Sequence, residues 1–408
     1  MVKLVSSWKS YFIVILFFLL LSAGGACLFL LPQQEFSPNE NRVLQTLPPP
    51  DAETVLDGSW QEKFEEFTAD QFPLRNSFTA AGSIWKYATG RRDIGGAYVG
   101  HDPDGVIRLF EKPDALSPED AAPTLALLRE FTAALAADKS MLHAAILPVP
   151  AAGTVYGDAL PPFAEVFDGE AFLAFAKEGL ADAPCAVADP LPALRRSGED
   201  GTAYYRTDHH WTTAGAAAAY AACCNALGLT PLPTDQVFAL EQVSDGFYGT
   251  LASKVLLPSV QPDEIYRPTL DLSAVRVYIG SGFAGETLRE STLYHEEALR
   301  EKDKYTYFLG GNYGFVLLEN ETLPEDGGTL LLLKDSFANC FVPYLTAHYR
   351  KIIMIDPRYY RGDLAVQIEE FAPDAFLALY ECDNFAKDVQ LRYLLQRTTT
   401  AMAATDRE

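Results

Sequence analysis

The chain has 408 residues, of which 49% are hydrophobic, and a formal net charge of −23. That length accommodates one large domain or two average ones with a sizeable core. Residues 1–31 carry only Lys3 and Lys9, so the remainder carries −25 (−23 − 2), which argues against nucleic acid and against electrostatic attachment to an anionic membrane surface.

Tyr11 to Leu31 is an unbroken run of 21 uncharged, mostly apolar residues. As a helix it spans roughly 30 Å, the thickness of a bilayer core. Lys3 and Lys9 precede it and Glu35 and Glu40 follow, so the N-terminus is expected in the cytoplasm and the body outside. A cleaved signal peptide is the alternative, but its apolar core is usually shorter. Here Leu28 to Leu31 continue past the small residues Ser22 to Ala26, which favours an uncleaved anchor over residues 1–31.

Residues 32–93 read as a connector followed by helices. Pro48-Pro49-Pro50 favours an extended spacer. Trp60, Phe64 and Phe67 recur at helical spacing, and Pro73 breaks the pattern within residues 54–90. From residue 94 to 397 the pattern becomes α/β. Short strands at Ala97–Gly100 and Val106–Leu109 flank an Asp-Pro-Asp-Gly turn. Helices follow over Pro118–Ala137, Phe163–Leu180 and Thr213–Leu227, with strands at His143–Val149 and Cys185–Asp189. The region around 228–310 is less regular and reads as an insertion. Three apolar strands close the pattern, Leu330–Leu333, Ile352–Ile355 and Ala375–Tyr380, separated by helices. Continuous apolar strands spaced by helices predict a mainly parallel sheet with helices on both faces. Residues 398–408 read as a flexible tail. Cys185, Cys223, Cys224, Cys340 and Cys382 are odd in number and lack a C-x-x-C pair, so they read as small buried hydrophobes.

Two stretches carry chemistry. The first is Asp208-His209-His210-Trp211-Thr212. In an extended segment Asp208 and His210 share a side, so the carboxylate can fix the imidazole tautomer and leave Nε2 as a base. His209 is then expected to point away. The second is Ser336, which ends the apolar strand of residues 329–334 at Asp335-Ser336 and precedes a helix. Active residues sit at the carboxyl ends of such strands, and N–H groups there can stabilise an oxyanion. The simpler role for Ser336 is a helix cap. A metal site would need to recruit His348, Asp335 or Asp356 from afar, since the chain has no helical H-x-x-x-H pair. The Asp-His pair could also be purely structural.

The Asp208–Trp211 motif with Thr212 resembles the signature of the bacterial DHHW-motif family, related to extracytoplasmic alginate O-acetyltransferases with SGNH-hydrolase-like domains. Four further blocks resemble that family in order. They are Glu40-Asn41-Arg42 before the prolines, Asp70-Gln71-Phe72-Pro73-Leu74-Arg75, Phe308 to Tyr313, and Lys334 to Asn339. The likeness covers about residues 36–395. It implies a flavodoxin-like α/β fold after one transmembrane helix, and a Ser-His-Asp triad with Ser336 as nucleophile, His210 as base and Asp208 orienting it. The oxyanion donor it implies is Asn384 or, competing with it, Asn312. Arg358 either binds substrate or pairs with Asp356. No cofactor or metal is implied. The expected activity is acetyl transfer to a hydroxyl of a cell-wall or secreted polysaccharide, with ester hydrolysis as the same chemistry on water. A membrane-bound O-acyltransferase is the implied acetyl donor. A non-catalytic glycan- or partner-binding envelope protein and a metal-dependent hydrolase remain as alternatives.

Overall fold

The computed structural model describes residues 8–37, 42–114, 117–137 and 143–405. Lys3, Glu40, Asn41 and the last three residues of the expected tail lie outside them. The chain forms two compact units, Met1–Arg91 with Ser253–Pro258, and Arg92–Ala252 with Ser259–Glu408.

In the first unit, one helix spans Trp8–Leu30, and from Tyr11 it is long and apolar enough to cross a membrane. Its large side chains from Tyr11 to Leu21 are exposed. Three helices follow at Ala52–Asp57, Ser59–Asp70 and Arg75–Ala88. Pro73 lies in the break between the last two. The Asp70 carboxylate is buried and accepts Arg42 Nη1 at 2.9 Å and the Gln45 amide at 2.8 Å. The Arg42 guanidinium holds that carboxyl below the usual range, against a smaller effect of burial. Two of the family-like blocks therefore meet through one ion pair.

The second unit is built on an eight-stranded sheet. Its order from one edge is Arg289–Ser291, Val275–Gly280, Phe315–Asn320, Lys351–Ile355, Thr329–Lys334, Ala375–Glu381, His143–Val149, Ala186–Val187. The last five are mutually parallel, with Leu331 in register with Ile353 and Phe376. Leu330, Leu332, Ile352, Met354 and Leu377 face one core, shared with the helices Thr213–Ala226 and Ala338–Leu345. Leu331, Leu333, Ile353, Ile355 and Phe376 face the other, shared with Ala122–Ala137 and Val389–Thr405. Alternate residues bury on opposite faces, which is why these strands are apolar throughout. Each buried leucine contributes roughly 2 kcal/mol.

Several expectations need adjusting. The helix expected from Phe163 starts at Gly169. Phe163 follows two prolines and takes a positive φ of 65°, and Asp168 supplies the cap by accepting from the Ala171 amide. Within 228–310, Leu240–Phe247 and Asp263–Pro268 pair as a separate hairpin, but Val275–Gly280 and Arg289–Ser291 join the main sheet. Phe315–Asn320, which the sequence reading passed over, links them to Lys351–Ile355 in antiparallel fashion. The final helix runs through Thr405, past the tail boundary at 398, because Leu391, Leu394, Leu395 and Thr398 are buried along it.

Candidate active site

The parallel strands deliver their carboxyl ends to one edge. There Thr329–Lys334 passes through Asp335 to Ser336. Asp335 shapes the turn. Its Oδ1 accepts the Phe337 amide at 3.0 Å, and its Oδ2 accepts the Glu381 amide at 2.9 Å and Asn384 Nδ2 at 3.0 Å. The Ser336 amide has no hydrogen-bond acceptor among the described residues.

The Asp208–Trp211 segment reaches the same edge as a reversed loop. Tyr204 and Trp211 form an antiparallel bridge at its base. The Tyr204 hydroxyl donates to the Pro150 carbonyl just after the strand His143–Val149, and Trp211 Nε1 donates to the Phe337 carbonyl at 2.9 Å. Arg108, fully buried, binds the loop's entry. It donates to the carbonyls of Tyr204 at 3.0 Å, Tyr205 at 3.3 Å and Gly201 at 3.1 Å, and forks onto Asp102 at 2.6 and 3.1 Å. Asp263 accepts the Arg206 and Thr207 amides at 2.9 and 2.8 Å.

The loop brings three side chains together. His210 Nδ1 lies 2.6 Å from Asp208 Oδ1, and His210 Nε2 lies 2.6 Å from Ser336 Oγ, across 126 residues of sequence. Asp208 Oδ1 also accepts the His210 amide at 3.0 Å, while Oδ2 accepts the Thr250 amide at 2.8 Å and the Thr250 hydroxyl at 3.0 Å. With Asp208 ionised, Nδ1 of His210 must carry the proton, which leaves Nε2 to accept from Ser336. Burial alone would raise the Asp208 carboxyl. The two imidazoles and the donors from His210 and Thr250 outweigh it and hold the group far below the carboxylate range. Burial, with His209 beside it, pushes the His210 imidazole below its ordinary value, against the pull of Asp208.

The divergence expected of His209 does not occur. The segment is bent rather than extended, so the pleat does not apply. The His209 ring lies 3.9 Å from that of His210, and its Nδ1 contacts the Thr250 hydroxyl at 3.0 Å. Asp208, His209 and His210 offer ligand-type atoms within 4.8 Å of one another, and they are the only such group among the described residues. Asp208 Oδ1, Oδ2 and both His210 nitrogens are already hydrogen-bonded within the protein.

The other candidates sit around this centre. Asn384 gives one amide hydrogen to Asp335. Asn312 Oδ1 accepts from Lys334 Nζ at 3.0 Å and Asn339 Nδ2 at 3.2 Å. Arg358 forks onto Asp356 at 2.8 and 2.7 Å. None of the three is hydrogen-bonded to Ser336 Oγ. A narrow cleft adjoins Asp208 and His209 and is lined by Leu251, Glu381 and Asp383 among others. Burial and the nearby Asp383 and Glu111 push the Glu381 carboxyl well up. The sequence reading missed Thr250, Gly249 and Tyr305. A Cβ on Gly249 would stand 2.3 Å from Asp208 Cβ, so only glycine lets the carboxylate lie there.

Residues 109–277 match the family model described as the SGNH hydrolase-like domain of the acetyltransferase AlgX. The chain carries an SGNH hydrolase-like domain. Its fold is similar to that of a DHHW family protein from Eubacterium siraeum, at 22% identity and a TM-score of 0.60 over 73% of this chain and 94% of that one. It is also similar to Bacillus cereus PatB1, solved with a sulfonyl adduct, at 17% identity and a TM-score of 0.54 over 72% and 98%. Comparison with curated proteins gives no match. His210 lies inside the matched residues and Ser336 lies beyond them, and the fold brings the two into hydrogen-bond contact.

Proposed function

We propose that the protein is a membrane-anchored serine O-acetyltransferase, or an acetylesterase where water is the acceptor, acting outside the cytoplasm on a cell-wall or secreted polysaccharide. The observation that carries this reading is the pair of 2.6 Å contacts on opposite nitrogens of His210, to Asp208 and to Ser336. The match to a domain of an acetyltransferase and the apolar N-terminal helix support it.

In the reaction, Ser336 Oγ attacks the acetyl carbonyl as its proton passes to His210 Nε2. The Asp208 carboxylate stabilises the imidazolium that forms. The tetrahedral oxyanion takes the Ser336 amide as one donor, with Asn384 and Asn312 as candidates for a second. The C–O bond to the donor breaks, and His210 returns the proton to the departing alkoxide. The acceptor hydroxyl then gives its proton to His210 and attacks the acetyl-Ser336 carbonyl; the Oγ–acetyl bond breaks, His210 returns the proton to Ser336 Oγ, and the acetylated acceptor leaves as the new ester. Acetyl-CoA is cytoplasmic, so a membrane-bound O-acyltransferase is the proposed source of the acetyl group.

The test is turnover of a small activated acetyl ester by the full-length protein in detergent. Ser336→Ala and His210→Ala should each lose on the order of 10³-fold or more, and the double variant should be little worse, because the groups act as a unit. A serine-directed sulfonyl fluoride should label Ser336 in the wild type and much more slowly in His210→Ala. Undiminished turnover in Ser336→Ala, or activity lost to a chelator and restored by zinc, would sink this mechanism.

A further inference from the structure

Asp208 and Ser336 hold the His210 imidazole at its two nitrogens, but neither bond stops the ring from rocking about the line between them. Two other rings do. Tyr305 stacks on the imidazole at 3.8 Å between centroids and 10° from parallel. His209 lies 3.9 Å away, tilted by 36°. Rings this close to one centroid cannot share a face, so the imidazole is sandwiched.

Tyr305 lies in the 3₁₀ turn Lys304–Tyr307 and is buried, with edge contacts to Tyr205 at 6.3 Å and tilted contact to Phe308 at 5.4 Å. Its hydroxyl donates to the Ser336 carbonyl at 3.2 Å, with Cys340 Sγ at 3.5 Å as a second acceptor. One side chain thus touches the base with its face and the backbone of the nucleophile with its hydroxyl. Core filling does not require this, since the adjoining Tyr205 is buried with its hydroxyl unpartnered among the described residues.

We propose that Tyr305 is a positioning residue for acyl transfer. Its ring fixes the plane of His210 and its hydroxyl fixes Ser336, so Nε2 and Oγ stay aligned while the proton crosses. The proposal rests on the acyl-transfer reading above. An aromatic face attracts a cation, and His210 becomes a cation only as the reaction proceeds. The contact therefore strengthens on the way to the transition state, and its loss belongs in kcat rather than KM.

The experiment compares Tyr305→Met, Tyr305→Phe and Ser336→Ala in the full-length protein with the activated acetyl ester. Methionine fills space without a planar face, and phenylalanine keeps the ring. Tyr305→Met should lower kcat on the order of 10²-fold, with KM within about twofold. Tyr305→Phe should recover to within about tenfold of wild type, having lost one hydrogen bond. Sulfonyl fluoride labelling of the same preparations separates alignment from folding, because final stoichiometry counts competent sites and rate reports alignment. The expected result for Tyr305→Met is wild-type stoichiometry at a reduced rate. Wild-type kcat and labelling rate in Tyr305→Met would overturn the positioning role. So would a loss confined to stoichiometry, which marks a purely structural support. Full turnover in Ser336→Ala would instead overturn the triad reading beneath it.

Discussion

Which nitrogen of His210 carries its proton decides what Ser336 can do. Asp208 sets it, and Thr250 in turn holds Asp208 with its amide and its hydroxyl. Asp208→Asn keeps the shape but offers an amide that can favour the wrong tautomer, so kcat should fall by on the order of 10³-fold or more with the thermal unfolding midpoint little changed. The pH profile follows from the same contacts. The neutral imidazole is the active base, and its pKa is lowered from 6.5 by burial and by His209. Protonation therefore begins only at lower pH, and the acid limb of kcat/KM should lie below 6.5. A limb at or above that value would show that His210 is not the titrating base.

The loop that carries Asp208 and His210 has little regular structure of its own, so its shape depends on neighbours. Arg108 uses all five guanidinium hydrogens on Asp102 and three loop carbonyls. Arg108→Met takes the donor from the buried Tyr204 and Tyr205 carbonyls and leaves Asp102 with Arg206 alone, and should cost on the order of 3 kcal/mol in denaturant unfolding. Activity should fall as well, because a loosened loop misplaces the base. An unchanged unfolding midpoint would remove Arg108 from this role. Gly249 acts at the other side of the loop. In Gly249→Ala the new methyl collides with Asp208, so turnover should drop by on the order of 10²-fold and the thermal midpoint should fall as the loop shifts, measured by steady-state kinetics beside thermal melts.

Across the full chain, the apolar helix Tyr11–Leu30 bears on where the chemistry takes place. The basic residues before it favour a cytoplasmic N-terminus. Protease applied to intact cells should digest the Arg92–Glu408 region, and complete protection would refute this orientation. A body of net charge −25 is repelled by anionic lipid, so under the proposed function the attachment falls to the helix. Removing residues 1–31 should release the protein from the membrane fraction, read by fractionation.

Much of the fold was legible along the chain because burial on both faces demands continuous apolar residues, as in Leu330–Leu333 and Ile352–Ile355. The strand-end serine and the Asp-x-His spacing were legible for a similar reason, since each is a local requirement of the chemistry. Phe315–Asn320 was passed over although Phe315 to Leu318 are as apolar as the strands recognised, and its antiparallel direction is not written in that pattern. Only the tertiary structure placed Thr250 and Gly249 beneath Asp208, stacked Tyr305 on His210, and bent the loop so that His209 stayed close instead of turning away. It also set Asn384 against Asp335, whereas the pairing of Arg358 with Asp356, two residues away, was already open to the sequence. The long-range partners lie on different strands and loops, and no periodicity links them. A hydrogen bond or a stacked ring depends on which chain segments meet in space, and that is decided by the sheet order and the loop crossings rather than by neighbours in sequence.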